Sequence, residues 1–357
     1  MSHRPARFTR SPLRWPSLLL AGWWHGGRVL WARLAQALLF RVPGASARIA
    51  VYRIGSYGDM LCALPALRAI RAAHPQAEIL LLSNRVEGEP WARRLGIESE
   101  LALKLADYAS PAELSRAVAE FAPGSLFYLA PHPLSLRRAL RDMLFFRSCG
   151  VRRARGFAAV SARGWVARAL RPWFEPVAES ARLVRAATLS AQPAIGATGA
   201  AASNETTLVF APTGKSAVQH WPVVRWRELA ERAQQAGFQV CWLGDEQDRA
   251  RMGELPGDNR MGSVPLGAIA DVLRSAAAVV CHDSGVAHHA ALQGRPTVVI
   301  SSSRAPVHAW DPPAATVLRT DMNCEACHRV QCSDNACINA ISVEAVWTAL
   351  QSQISRR

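Results

Sequence analysis

The apolar positions of this chain fall into two alternating series of short runs and amphipathic stretches. The first opens at Arg48-Ile-Ala-Val-Tyr-Arg-Ile54, a β-branched run that predicts a buried strand. Gly55-Ser-Tyr-Gly-Asp59 follows as a tight turn. Leu61, Leu64, Leu67 and Ile70 then recur at helical spacing, which predicts a helix from Met60 to Ala73. Pro65 is expected in the first turns of that helix, where its missing N–H is tolerated. Further strands are predicted at 78–82 and 125–129. The second series runs strand 208–211, helix 223–236, strand 239–243, helix 266–276, strand 278–281, helix 285–292 and strand 297–300. Such repetition is the pattern of parallel βαβ units. Residues 190–206, small, polar and Gly/Ala-rich, read as a linker between the series. The expectation is an α/β chain of two doubly wound, Rossmann-like domains facing a cleft, at 48–189 and 207–357. Ligands of such sheets bind at the carboxyl ends of the strands.

Residues 1–47 form an extension ahead of the first domain, basic and rich in tryptophan. Between Gly27 and Pro43 the pattern predicts one helix that carries Arg28, Trp31 and Arg33. A basic helix bearing tryptophan lies in a membrane interface rather than crossing the bilayer. A helix packed on the domain behind it is the other reading. Arg28, Arg33 and Arg41 interrupt the apolar region and argue against a signal peptide.

Composition narrows the class. The chain has 357 residues, half of them hydrophobic and 19% charged, which excludes a disordered protein and suits about two domains. No uninterrupted apolar run reaches the roughly 18–20 residues of a membrane-spanning helix. Eight cysteines in a chain this long do not make a disulfide scaffold, so a reduced, cytoplasmic setting is expected. The net charge of +15 is unevenly placed. Residues 1–50 hold eight arginines and no acid, and residues 137–171 hold ten arginines against Asp142 alone, while the remainder is balanced. The preference for arginine over lysine reflects overall composition, since only Lys104 and Lys215 are lysines, but composition does not explain the clustering. Clustered positive charge suits phosphate-rich partners.

Four turns carry candidate chemistry. Gly55 and Ser56 let backbone approach a ligand, and Asp59 begins the helix that follows; its plain role would be capping. Asp283, Ser284 and Gly285 stand where a strand gives way to a helix whose N-terminus favours a phosphate or diphosphate, with His288 one turn further. Capping and helix packing are the plain readings there too. Thr213 and Lys215 lie in the loop after strand 208–211, where a lysine can meet a phosphate. Asp248 lies in an acidic loop after strand 239–243, a place where an acid binds ribose hydroxyls. Separately, Cys324, Cys327, Cys332 and Cys337, with His328 beside them, form a compact group; a structural zinc site, a local disulfide pair or free thiols are the readings. Cys62, Cys149, Cys241 and Cys281 read as core.

In order along the chain these segments resemble glycosyltransferase family 9, the ADP-heptose:lipopolysaccharide heptosyltransferases. The resemblance rests on Arg53-Ile-Gly-Ser-Tyr-Gly-Asp59 through Arg68, on His220-Trp-Pro222 through Gly237 and Leu243-Gly244, on Asp283-Ser-Gly-Val-Ala-His288 with Gly294-Arg-Pro-Thr297, and on the cysteine group followed by Ile341 and Val343. It covers about residues 48 to 350. It implies a GT-B fold, with the acceptor held by the N-terminal half and the nucleotide-sugar by the C-terminal half. It further implies inverting, metal-independent transfer with Asp59 as general base. Ser284, Gly285, His288 and Lys215 would then stabilise the leaving diphosphate, with no cofactor required, and Asp248 would hold the ribose. The acceptor would be an anionic glycolipid at the cytoplasmic face of the inner membrane, met by Arg137, Arg138 and Arg141, with Arg152, Arg153 and Arg155 facing the same glycolipid or the bilayer. Two departures stand out: Gln219 occupies a position where many members have lysine, and Tyr57 is bulky for its turn. Residues 1–47 match nothing in the family pattern.

Other readings are a different nucleotide-sugar transferase or epimerase on the same fold, or a non-catalytic binder of membrane or other anions. A nucleic-acid partner is not expected, because no strand interleaves aromatic and basic residues. A nicotinamide-dependent dehydrogenase is disfavoured because no G-x-G-x-x-G follows the first strand.

Overall fold

The computed structural model describes residues 15–84, 101–104, 110–130, 134–161, 178–188, 206–302, 304, 309–320, 327 and 329–355, with backbone alone at 15–18 and 101–104. Its first lobe contains α1 (Trp15–Leu39), β1 (Arg48–Tyr52), α2 (Tyr57–Ala73), β2 (Glu78–Ser83), β3 (Leu101–Lys104), α3 (Pro111–Phe121), β4 (Ser125–Tyr128), α4 (Leu136–Ser148), β5 (Ala154–Arg155) and α5 (Glu179–Ala187). The second contains β6 (Thr207–Ala211), α6 (Val223–Gln235), β7 (Gln239–Trp242), α7 (Glu246–Met252), β8 (Asp258–Asn259), α8 (Ile269–Ser275), β9 (Ala278–His282), α9 (Gly285–Leu292), β10 (Thr297–Ile300), β11 (Thr316–Leu318), α10 (Ala336–Asn339) and α11 (Val343–Ile354).

The first sheet has the order β3-β2-β1-β4-β5 and the second β11-β10-β9-β6-β7-β8. Every strand pair is parallel. These are two Rossmann-like lobes, and together they make a GT-B architecture. The strand order reverses between β1 and β4 in one sheet and between β6 and β9 in the other, so each lobe opens its ligand crevice there. Each sheet buries apolar residues on both faces, as parallel sheets must. In the second lobe Phe210, Trp226 and Trp242 pack edge to face and seal the core under the crevice.

Three expectations need correction. The N-terminal helix starts at Trp15, not Gly27, and runs straight through Gly26 and Gly27. Its packing on the first lobe, where Ala32 and Phe40 join the core, outweighs the roughly 1 kcal/mol that each interior glycine costs. Helix α2 starts at Tyr57 rather than Met60, with Ser56 as N-cap. Pro65 therefore lies inside the helix rather than in its first turns, and it is buried. The short strands β3, β5, β8 and β11 and the helices α3, α4, α5, α7, α10 and α11 had no counterpart in the predicted series. Of the segment 190–206 read as a linker, all but Thr206 lies outside the described residues.

Candidate active site

The turn between β1 and α2 is built around one carboxylate. Asp59 Oδ2 accepts hydrogen bonds from the Ser56 backbone N–H and the Ser56 hydroxyl, both at 2.6 Å. This closes a capping box at the start of α2. The fold-back of Asp59 requires Gly55, which has φ +154° and whose added Cβ would sit 2.4 Å from Asp59 Cβ. The Gly55 N–H donates to Asn84 Oδ1 at 2.8 Å, tying the turn to the end of β2. Asp59 Oδ1 stands 3.7 Å from Arg53 Nη2, and its side chain is one-fifth exposed.

Sequence reasoning passed over Arg53, which has no solvent exposure. Its guanidinium donates to the Asp59 carbonyl at 2.7 and 3.1 Å and to the Leu129 and Ala130 carbonyls at 3.3 and 3.1 Å. It also meets the buried Glu179 Oε1 at 3.3 Å, and Glu179 is paired in turn with Arg182 at 2.7 Å. One side chain thus joins the ends of β1 and β4, the Asp59 turn and α5 at the reversal point of the first sheet.

The facing crevice is formed by the start of α9, where Ser284 is the N-cap. Thr213 donates from Oγ1 to Ser284 Oγ at 3.1 Å, and Gln219 Nε2 donates to the Asp283 carbonyl at 3.2 Å. The loop after β6 therefore holds the β9–α9 turn, and Gln219 is a buried brace of that turn. The Trp221 N–H donates to Nε2 of His282 at 3.0 Å, and burial pulls His282 down to about 3, so the ring is neutral. Burial pushes the Asp283 carboxyl up to about 6, against the opposing pull of Arg319, Arg304 and Lys215. Lys215 itself is exposed.

The two turns meet. A Cβ added to Gly58 would lie 3.2 Å from Gly285 Cα, and one added to Gly285 would lie 2.8 Å from the Tyr57 ring. The Tyr57 hydroxyl and His289 Nδ1 share a hydrogen bond of 2.5 Å across the cleft. Burial holds His289 at about 4, so its neutral ring can accept from the phenol. Tyr57, bulky for a glycine turn, is thus a contact between lobes, a role that sequence could not reveal without its partner. His288 is buried at the same meeting of lobes, its ring 3.8 Å from a Cβ added to Gly58. It lies 3.5 Å from the Cys62 sulfur of the other lobe, and burial holds it near 4 and uncharged.

Other candidate residues stand apart from this contact. Asp248 is buried, with Oδ1 2.6 Å from Arg251 Nη2 and Oδ2 accepting from the Asp245 N–H at 3.3 Å. Oδ2 thus closes the cap of α7, and Oδ1 pairs with the last turn of the same helix. Arg137, Arg138 and Arg141 line a cavity of about 520 Å³ with Ser135, at the start of α4. Its loop follows β4, so the cavity flanks the same reversal point as Asp59. Cys324 and His328 lie outside the described residues, and no group of three metal-binding side chains occurs among the described ones. Cys62, Cys149, Cys241 and Cys281 are buried and free.

The family model described as glycosyltransferase family 9 (heptosyltransferase) matches residues 154–338, more than half of the chain. The chain belongs to glycosyltransferase family 9. Lipopolysaccharide heptosyltransferase 1 of Pseudomonas aeruginosa is 32% identical to this family member over 133 residues, which is 35% of the chain and 37% of the relative. The aligned part thus spans little more than a third of that curated relative's length. Among solved structures, the family 9 glycosyl transferase of Veillonella parvula superposes with a TM-score of 0.67 at 14% identity, covering 89% of this chain and all of that one. The E. coli ADP-heptose lps heptosyltransferase II gives a TM-score of 0.62 at 18% identity, covering 87% and 99%. At such identities the superpositions speak for the fold.

Proposed function

We propose that this glycosyltransferase moves a heptose from an ADP-heptose donor to a hydroxyl of a phosphorylated lipopolysaccharide-core acceptor, with inversion and without a metal ion. The observation that carries the reading is the meeting of two helix starts, each at the reversal point of its own sheet, one of them bearing a carboxylate. Asp59 Oδ2 is held by Ser56, while Oδ1 faces Arg53 at a longer 3.7 Å and is the oxygen suited to receive a proton. In the proposed step the acceptor hydroxyl gives its proton to Oδ1 as its oxygen bonds to the anomeric carbon. The bond from that carbon to the diphosphate breaks and ADP leaves. Backbone N–H groups at the start of α9, together with Lys215, receive the charge that develops on the diphosphate. The contact of Tyr57 and Gly58 with Gly285 parts to admit the donor. The arginine cavity at the start of α4 is suited to the acceptor's phosphates, since it combines three guanidiniums with a helix N-terminus. The donor and acceptor named here agree with the names of the relatives, and they rest on family membership together with this geometry.

The decisive experiment is transfer by the Asp59→Asn variant, with nucleotide binding followed by thermal shift. The expected result is a fall in turnover of about 10²–10⁴-fold with ADP binding retained. Full turnover by the variant would remove Asp59 from the chemistry. Failure of every ADP-sugar to raise the melting temperature of the native protein would remove the donor assignment.

A further inference from the structure

Helix α1 is built inside out. Its inward line is mostly small or polar: Ala21 and Ala32 are fully buried, Gln36 Oε1 accepts from the Phe157 N–H at 3.0 Å, and Val29 and Leu39 are the larger apolar residues that pack on the lobe. Most of its large apolar residues, Trp23, Trp24 and Trp31 among them, point the other way. Leu19, Trp23 and Leu34 follow one line along the helix, at 69, 76 and 46% exposure. Trp24, Trp31 and Leu38 follow the adjacent line, at 54, 67 and 85%. A helix whose only role was to pack on the lobe would turn these side chains inward. A contiguous exposed apolar face marks an interaction surface.

The charge around the face specifies what covers it. On the helix surface, Arg28 and Arg33 flank the apolar lines on opposite sides, and Arg41 is exposed just beyond the helix end. Residues 15–50 contain no Asp or Glu. Helix α4 packs against α1 and exposes Arg137 and Arg141. Asp142 of α4 is buried and paired with Arg138 and Arg141. No helix among the described residues is long and apolar enough to cross a membrane. Tryptophan and leucine seated at the boundary of headgroups and acyl chains, with arginines among the phosphates, is the arrangement of an interfacial helix. A second copy of the chain would set arginine against arginine.

We propose that the outward face of α1 is a docking surface for an anionic bilayer, with the helix lying flat in the interface. The proposal is independent of the transfer reading, because its readout is lipid binding and not turnover. It is tested by sedimenting the full chain with vesicles of phosphatidylcholine, alone or with about one third phosphatidylglycerol. The expected result is binding to the anionic vesicles, at least about tenfold stronger than to the neutral ones. The triple variant Trp23→Ser/Trp31→Ser/Leu38→Ser should lose that binding while its circular dichroism and melting temperature stay native, because the three side chains are exposed. On the native protein, tryptophan emission should shift to the blue and be quenched by acyl-brominated lipid. Native protein left in the supernatant with both vesicle types would overturn the proposal, as would a triple variant that binds like the native chain. A dimer that the triple variant dissolves, in a protein that ignores vesicles, would also overturn it and make the face a self-contact.

Discussion

A guanidinium with no solvent exposure is tolerable only when its donors all find acceptors. Arg53 directs its donors at three carbonyls and a carboxylate drawn from three separate segments. Loss of this side chain leaves Glu179 buried with Arg182 as its remaining paired arginine, and it frees the Asp59 turn. Arg53→Met should therefore destabilise the chain by about 3 kcal/mol, seen as a lower denaturant midpoint at unchanged slope. Arg53→Lys should recover little of this, because an ammonium cannot fork to several acceptors. Single residues were unevenly legible in the sequence. Gly55, Ser56 and Asp59 stood out because a glycine turn before a helical period has few uses. Arg53 was read only as part of the first strand and of the family segment that follows it, since nothing local to it indicates carbonyls more than seventy residues away. Asp248, expected to hold a ribose, also closes the cap of its own helix with Asp245 and pairs with Arg251.

Among the elements, the starts of α2 and α9 matter most, and glycine is what lets them touch. Ala at position 285 suits a first helical turn, so Gly285→Ala should alter the stability of its own lobe by less than about 1 kcal/mol. Its Cβ would nevertheless press on the Tyr57 ring at 2.8 Å. The expected outcome is a larger radius of gyration for the unliganded variant in small-angle scattering, with the melting temperature nearly unchanged. An unchanged radius would show that Tyr57 swings aside without parting the lobes. The central strands and α9 were legible because their apolar runs are flanked by turn residues. Strands β5 and β8 span two residues each, too few for any periodicity to register. Helix α1 was misjudged at its start because Gly26-Gly27 looks like a boundary. Its inverted orientation was hidden because alanines and leucines both count as apolar.

For the whole molecule, the buried titratable groups make stability depend on pH. His282, His288 and His289 are held at about 3, 4 and 4 by burial, below the ordinary 6.5. Between pH 6.5 and 4 the unfolded chain therefore binds protons that these rings refuse, so stability falls as pH falls through that window. Asp283, raised to about 6, acts in the opposite sense: the native state keeps its proton, and stability from this group falls as pH rises from about 4 to 6. Three rings outweigh one carboxyl, leaving a net uptake of about two protons on unfolding near pH 5, or roughly 2–3 kcal/mol per pH unit. Denaturant midpoints measured from pH 7 to 4.5 should drop accordingly, and a flat profile would mean that the rings are not sealed from water. The two-lobed plan was legible in the sequence because each βαβ series repeats the same rhythm. The closeness of the lobes was not, since it depends on Tyr57 and His289, residues far apart along the chain. That closeness has an electrostatic consequence. The positive end of α2 is already met by its own Asp59 carboxylate, whereas the first turn of α9 carries no acid. The crevice is therefore polarised from one wall to the other, and an anion entering it is drawn to the α9 wall and turned away from the α2 wall.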